Sequence, residues 1–312
     1  MRELAKFGGV ASQVSRGFEV LLRMATDPEY TVIGTFSGIM TVAKMGGIIS
    51  HMIDKGWLRA IVATGALIAH GFVEDAGLVH YKVDPKITDG EYAKLRLNRI
   101  TWALEPETNL DHVEAIFSRI LEHDLRDGGV VSASHLNHLI GKYLAKHFPE
   151  GHSILRSAYL QKVPVFIPAP DSELDNDRFI NNMRRRMQGR KTVDVNNEID
   201  THRLVEIAIK ANKLGLYTIG AGVPRNWPQN IAPLVEITKE RLDVHWPTVV
   251  YSSGCRIAPD LPVFGHLGGC TYTEMVTWRK ACLGGHYAEI LADATMVLPF
   301  HVAALKEVIE SR

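Results

Sequence analysis

Apolar positions along the chain switch between two periods. Over residues 14–27 they recur three or four apart (Val14, Phe18, Leu21, Leu22, Met24), which predicts a helix with one buried face. Tyr30 to Phe36 is a β-branched, aromatic run that predicts a buried strand. Ser37-Gly38 follows, then a helical pattern over 40–55 that Gly56 stops. Residues 58–64 read as a second strand, closed by Gly65-Ala66. Strand, small-residue turn, helix, strand, small-residue turn is a βαβ unit, expected to be right-handed and parallel.

Residues 80–106 are charged and irregular and read as a connecting region. Helical periodicity returns over 109–123 and 132–147, joined through 124–129, and again over 153–160. A strand over 163–168 ends at Pro168-Ala169-Pro170-Asp171, where Asp171 suits a helix N-cap and a ligand contact equally. A strand over 192–195 precedes a helix over 198–214 that ends at Gly215. Residues 216–219 form a strand closed by Gly220-Ala221-Gly222-Val223-Pro224, with Pro224 opening the next helix. A strand over 247–251 places Ser252-Ser253-Gly254 at its carboxyl end. A strand over 286–292 ends at Asp293-Ala294, and 297–309 is the closing helix.

The pattern predicts a single α/β domain over residues 1–312: a doubly wound, mostly parallel sheet flanked by helices. Small or acidic residues recur at the strand ends, where such sheets bind ligands. Small residues there can expose backbone N–H groups to phosphate, or simply let helix and sheet pack closely. The fold is Rossmann-like, yet no G-x-G-x-x-G fingerprint and no P-loop is present.

Composition narrows the field. The 312 residues are 46% hydrophobic, enough for a core, and carry 35 basic against 35 acidic side chains. Zero formal charge gives no general field for nucleic acid or an anionic membrane. The basic cluster Arg184, Arg185, Arg186, Arg190, Lys191 follows an acidic stretch and reads as a self-complementary surface. No apolar run is long enough to span a bilayer, and no signal peptide is visible, so a cytoplasmic location is expected. Three cysteines cannot all pair and none forms C-x-x-C. The 14 histidines include no H-E-x-x-H, and the pair His135/His138 lacks neighbouring carboxylates, so no metal is expected.

The candidate chemistry lies in the stretch from Gly265 to Lys280, GHLGGCTYTEMVTWRK. A glycine-rich loop is followed by an acid, a flat aromatic and a lysine, which suits a site that handles an amine. Taken alone, the same residues also read as a helix from about Thr271, with Trp278 in the core and Lys280 a surface charge.

Five ordered motifs resolve that choice. Glu274-Met-Val-Thr-Trp-Arg-Lys280 resembles the E-A-V-S-W-G-K of the deoxyhypusine synthase family. Ala292-Asp-Ala-Thr-Met-Val-Leu-Pro299 resembles its A-D-A-S-L-V-F-P. Gly220-Ala-Gly-Val-Pro-Arg-Asn226, Pro164-Val-Phe-Ile-Pro-Ala169 and Ile61-Val-Ala-Thr-Gly-Ala66 resemble its G-G-G-V-P-K-N/H, P-V-F-x-P-A/G and V-T-T-A-G segments. The likeness runs from about residue 31 to 308. It implies NAD as cofactor, spermidine as aminobutyl donor, and Lys280 as the catalytic lysine that carries the group as an imine. It also implies a lysine of the translation factor 5A precursor as acceptor, and a homotetramer with sites between subunits. Ser37, Gly38, Thr41, Thr64, Gly65, Ala66, Asp171, Ser252, Ser253, Asp293 and Ala294 match NAD-contacting places. His70, Asn226, Gly265, His266, Leu267, Glu274, Trp278 and Lys280 match substrate-side places.

The chain departs from the family pattern where charge matters. Ala69-His70 stands at an acidic pair, Leu267 at an acid, Asn226 at a histidine and Arg279 at the glycine before the lysine. Fewer carboxylates would therefore face a polyamine. The same chemistry with a small amine acceptor such as putrescine, or a non-catalytic NAD- or amine-binding scaffold, are the alternative readings.

Overall fold

The computed structural model describes residues 1–265 and 269–311. A short 3-10 turn leads into α1 (Gly9–Thr26), followed by β1 (Tyr30–Phe36), α2 (Gly46–Asp54), β2 (Ala60–Ala63) and α3 (Gly65–Asp75). The predicted βαβ unit is present, with parallel pairing from Ile33↔Ala60 to Phe36↔Ala63. The predicted helix over 40–55 starts late, because residues 38–45 form turns with Lys44 in the left-handed region.

The stretch expected to be a plain connection is a small structured insert. It comprises β3 (Tyr81–Lys82), α4 (Asp89–Lys94), β4 (Leu97–Ile100) and β5 (Ala103–Pro106), with the strands in an antiparallel sheet ordered β3-β5-β4. Its charged, exposed outer face hid the alternation: Leu97–Ile100 buries little, while Ala103–Glu105 is fully covered. The next helices and strands are α5 (Glu107–Asp124), β6 (Gly129–Val131), α6 (Ala133–His147), α7 (Ile154–Gln161), β7 (Val165–Phe166), α8 (Glu173–Met187), β8 (Val193–Val195) and α9 (Asn197–Lys210). The strand predicted over 192–195 exists, but it pairs with β6 in a separate two-stranded sheet.

The last third comprises β9 (Lys213–Ile219), α10 (Gly222–Gln229), α11 (Ile231–Leu242), β10 (Tyr251–Ala258), α12 (Tyr272–Thr277), β11 (Ala281–Leu291) and α13 (Ala294–Glu310). Two glycine readings need correction. Gly215 does not end a helix; it sits inside β9, where a Cβ would come within 2.6 Å of the Met24 sulfur. Gly254 does not follow a strand; it sits inside β10, where a Cβ would come within 2.5 Å of the Tyr272 ring. Both are small because a side chain crosses the strand there.

The main sheet has six parallel strands in the order β11-β10-β9-β1-β2-β7. Alternate residues feed two cores. Val32, Phe36, Ile61, Tyr217 and Ile257 face one side, packed under α1, α2, α3 and α13. Ile33, Val62, Leu216 and Tyr251 face the other, under α9, α11 and α12. Burial on both faces is why these strands read as continuous apolar runs. The sheet is doubly wound, as the pattern predicted.

Candidate active site

Chain order reverses between β1 and β9, so their carboxyl ends form the crevice where open parallel sheets bind ligands. A cavity of about 320 Å³ opens there, lined by Ser37, Thr64, Asp171, Ala221, Gly222 and Pro224 among others. A wider depression of about 600 Å³ between α1 and residues 285–287 is more open, includes the charged Arg16, Glu19, Arg23 and Asp27 in its lining, and shares no residue with these strand ends. Three of the carried-over positions, Ser37, Thr64 and Asp171, line the smaller cavity, and Gly38 and Gly65 are hydrogen-bonded to Thr64 and Asp171. Ser37 Oγ donates to the Ala221 carbonyl, and Thr64 Oγ1 donates to the Gly38 carbonyl at 2.7 Å.

Asp171 is not the cap of the helix that follows it. Ser172 caps α8, while Asp171 Oδ1 accepts from the Gly65 N–H at 2.7 Å across 106 residues. Burial raises its carboxyl above the ordinary range; the Gly65 bond opposes this and the Asp175 and Glu173 carboxylates reinforce it. The first N–H of α3 is therefore already taken, and that helix start does not offer it to phosphate. The start of α10 does. Gly222 has φ +64 with open space where a Cβ would stand, and no side chain caps the helix. Its backbone faces the cavity and suits an anionic centre. The residues present thus fit a dinucleotide, with the anion at α10 and a hydrogen-bonding carboxylate at Asp171.

Other carried-over positions lie off this cavity. Thr41 is buried and its hydroxyl donates to the Leu67 carbonyl at 2.8 Å. Ser252 and Ser253 were expected at a carboxyl strand end. They stand at the amino end of β10, where Ser253 Oγ donates to the His286 carbonyl at 3.1 Å. Asp293 caps α13 and accepts from the Thr295 N–H at 2.8 Å; Ala294 is the first residue of that helix. Ala66 is the second residue of α3. The ring of His70 bonds Glu105, in a cluster of its own. Gly265 is exposed at φ +86, and His266 and Leu267 lie outside the described residues.

Lys280 is built by a helix end. Thr271 caps α12, accepting from the Glu274 N–H at 3.1 Å. The helix closes with the Arg279 N–H on the Val276 carbonyl and the Lys280 N–H on the Met275 carbonyl. This is a Schellman turn, with Arg279 in the left-handed region at φ 57. It swings Lys280 from the helix to the head of β11. There the residue is 7% exposed, so the surface-lysine reading does not hold. Trp278, by contrast, is 61% exposed and not a core residue. Lys280 Nζ lies 3.4 Å from Asn226 Oδ1 and 5.8 Å from the centroid of the Trp278 ring.

Burial lowers the Lys280 pKa from the ordinary lysine value; Cys270 opposes this and the Arg225 guanidinium adds to it. Sequence reasoning placed the adjacent cation at Arg279, whose exposed side chain reaches Glu240 at 3.6 Å. The cation that acts on Lys280 is Arg225. It is buried, donates to the Cys270 carbonyl at 2.8 Å and stacks 5.3 Å from the Tyr272 ring centroid. Its signal was available as the basic residue between Pro224 and Asn226. A buried, pKa-lowered amine beside an aromatic face and an amide is equipped for nucleophilic attack at an imine-level carbon. The helix α10 joins both halves: Gly222 lines the cavity and Asn226, one turn on, holds Lys280.

The model of the family described as deoxyhypusine synthase matches residues 1–305. "Probable deoxyhypusine synthase 2" of Methanosarcina acetivorans is 29% identical over 312 residues, covering 98% of this chain and 86% of that protein. A "deoxyhypusine synthase-like protein" of Chlorobaculum parvum is 27% identical over 305 residues, covering 96% and 83%. The solved structure of a deoxyhypusine synthase candidate from Entamoeba histolytica aligns with TM-score 0.62 at 13% identity, over 96% of this chain and 89% of that one, a likeness of fold. The chain belongs to the deoxyhypusine synthase family, a family of aminobutyl-transferring enzymes.

Proposed function

We propose that this protein transfers an aminobutyl group from spermidine through Lys280, with NAD as cofactor and a lysine of the translation factor 5A precursor as acceptor. The observation that carries the reading is the buried Lys280 amine, held at Asn226 beside the Trp278 ring in a chain of this family. Ser37, Gly38, Thr64, Gly65 and Asp171 would hold the dinucleotide with the start of α10. When bound, it supplies an acceptor for a hydride and its later return. Neutral Lys280 Nζ forms a C–N bond to the imine-level butyl carbon, and the bond from that carbon to the diaminopropane nitrogen breaks. Glu274 and Trp278 would hold the cationic end of the substrate. The acceptor amine then displaces Lys280, which leaves as the free amine. Thr41, Ala66, Ser252, Ser253, Asp293 and Ala294 remain carried-over positions that a homotetramer, with sites between subunits, would bring into use.

Incubation with spermidine and NAD should release 1,3-diaminopropane, and borohydride should fix an adduct on Lys280 that Lys280→Ala loses. Absence of both products would refute the reading. His70, engaged by Glu105 where the family pattern has an acid, favours a second reading in which the acceptor is a small amine. Supplying putrescine with and without the protein acceptor separates the two. No helix among the described residues is long and apolar enough to cross a membrane.

A further inference from the structure

Beyond the transfer site, two imidazoles and a carboxylate converge where the insert meets α3. One ligand atom each from His70, His80 and Glu105 lie within 4.8 Å of one another. They come from three separate places: α3, the loop before β3, and β5. The side chains of His80 and Glu105 are each 1% exposed. His80 Nε2 and Glu105 Oε1 face each other at 3.5 Å, an ion-pair spacing wider than a good hydrogen bond.

We propose that this cluster is a binding site for a divalent transition ion of the zinc class, with His80 Nε2, Glu105 and His70 as ligands. The spacing of His80 Nε2 and Glu105 Oε1 matches the edge of a tetrahedron about 3.4 Å long, set by ligand bonds of about 2.1 Å. The surroundings supply the outer contacts such ligands need. Glu74 Oε1 bonds His80 Nδ1 at 2.9 Å, which fixes the ring and leaves Nε2 as the ligating atom. Lys44 in turn pairs with Glu74. His70 Nδ1 bonds Glu105 Oε2 at 2.7 Å, and Glu173 Oε1 stands 3.9 Å from its Nε2 with Oε2 unpartnered. A mixed nitrogen and oxygen set suits zinc, cobalt or iron(II) better than calcium or magnesium, which prefer all-oxygen shells. The ion would clip the insert to α3. Ligation requires neutral imidazoles and an ionised carboxylate, so binding releases protons.

The test is metal analysis of the full-length protein after growth with zinc and dialysis, with Co²⁺ titration of EDTA-treated protein as the second measurement. About one zinc per chain is expected, together with a visible absorption band for cobalt and a zinc-dependent rise in melting temperature. His80→Gln and Glu105→Gln should each lower bound zinc at least tenfold, while Lys280→Ala retains it. Wild-type protein with less than a tenth of an equivalent and no cobalt band overturns the proposal, as does full zinc content in both variants. Should a variant fail to fold, the wild-type titration still decides. None of these readouts involves turnover, so their failure is separate from failure of the transfer reaction.

Discussion

Lys280 Nζ lies 3.4 Å from Asn226 Oδ1, a neutral amide where an acid would have held the amine charged. An amide accepts one hydrogen bond from either form of the lysine and does not oppose the lowering that burial causes. Asn226→Asp should therefore favour the ammonium. Aminobutyl transfer at pH 7 should fall about tenfold, and the acid limb of the rate profile should move to higher pH. An unchanged profile would mean that Asn226 does not set the charge of Lys280.

Arg279 holds φ 57, a conformation that costs a side-chain-bearing residue about 1 kcal/mol relative to glycine. Arg279→Gly should raise the urea midpoint by an amount equivalent to about 1 kcal/mol, and Arg279→Ala should not. The arginine side chain is exposed, and its contact with Glu240 at 3.6 Å adds little to oppose the gain.

Gly254→Ala should destabilise by about 2 kcal/mol, because the new methyl meets the Tyr272 ring at 2.5 Å and the strand backbone cannot retreat. Unfolding in urea measures this. Pairing Gly254→Ala with Tyr272→Leu should recover part of the loss, since the second change removes the obstacle.

His301 predicts a pH dependence of stability. Burial lowers its pKa to about 4 from the ordinary 6.5, against the opposing hydrogen bond from its Nε2 to the Val14 carbonyl. Between these values the unfolded chain binds a proton that the native state does not. The contribution is complete above pH 6.5, falls as pH drops through the window, and levels off below about 4. The total is about 3 kcal/mol. The change in stability between pH 4 and 7, read by urea unfolding, should differ between wild type and His301→Leu by about that total; parallel curves would contradict it.

Asp171→Ala should weaken NAD binding about tenfold in a fluorescence titration, because it removes both the cavity acid and the partner of the Gly65 N–H. Asp171→Asn keeps an acceptor at that N–H and should lose less.

The parallel sheet was legible because its strands are apolar on both faces and end in small or polar residues. What stayed hidden shares one cause. Gly215 and Gly254 look like punctuation, but Met24 and Tyr272 cross them, and sequence does not show what lies above a strand. The insert around β5 was missed because its only covered strand, Ala103–Pro106, is four residues long. Ser252 and Ser253 were put at the wrong edge by the misread Gly254. Lys280 was legible only through the company of its motif, whereas its control by Arg225 depends on a charge that the fold brings near from 55 positions away.

The order of the central sheet also dictates how the chain folds. β1 has β2 on one side and β9 on the other, the latter through pairs from Tyr30↔Lys213 to Phe36↔Ile219. The chain must be made as far as Lys213, 183 positions beyond Tyr30, before the middle strand acquires its second edge. Until then that edge, with its unpaired N–H and carbonyl groups, is exposed to any other strand. A chain stopped short of Lys213 keeps it open. Such truncations, and nascent chains of that length, should be the species that aggregate or depend on chaperones.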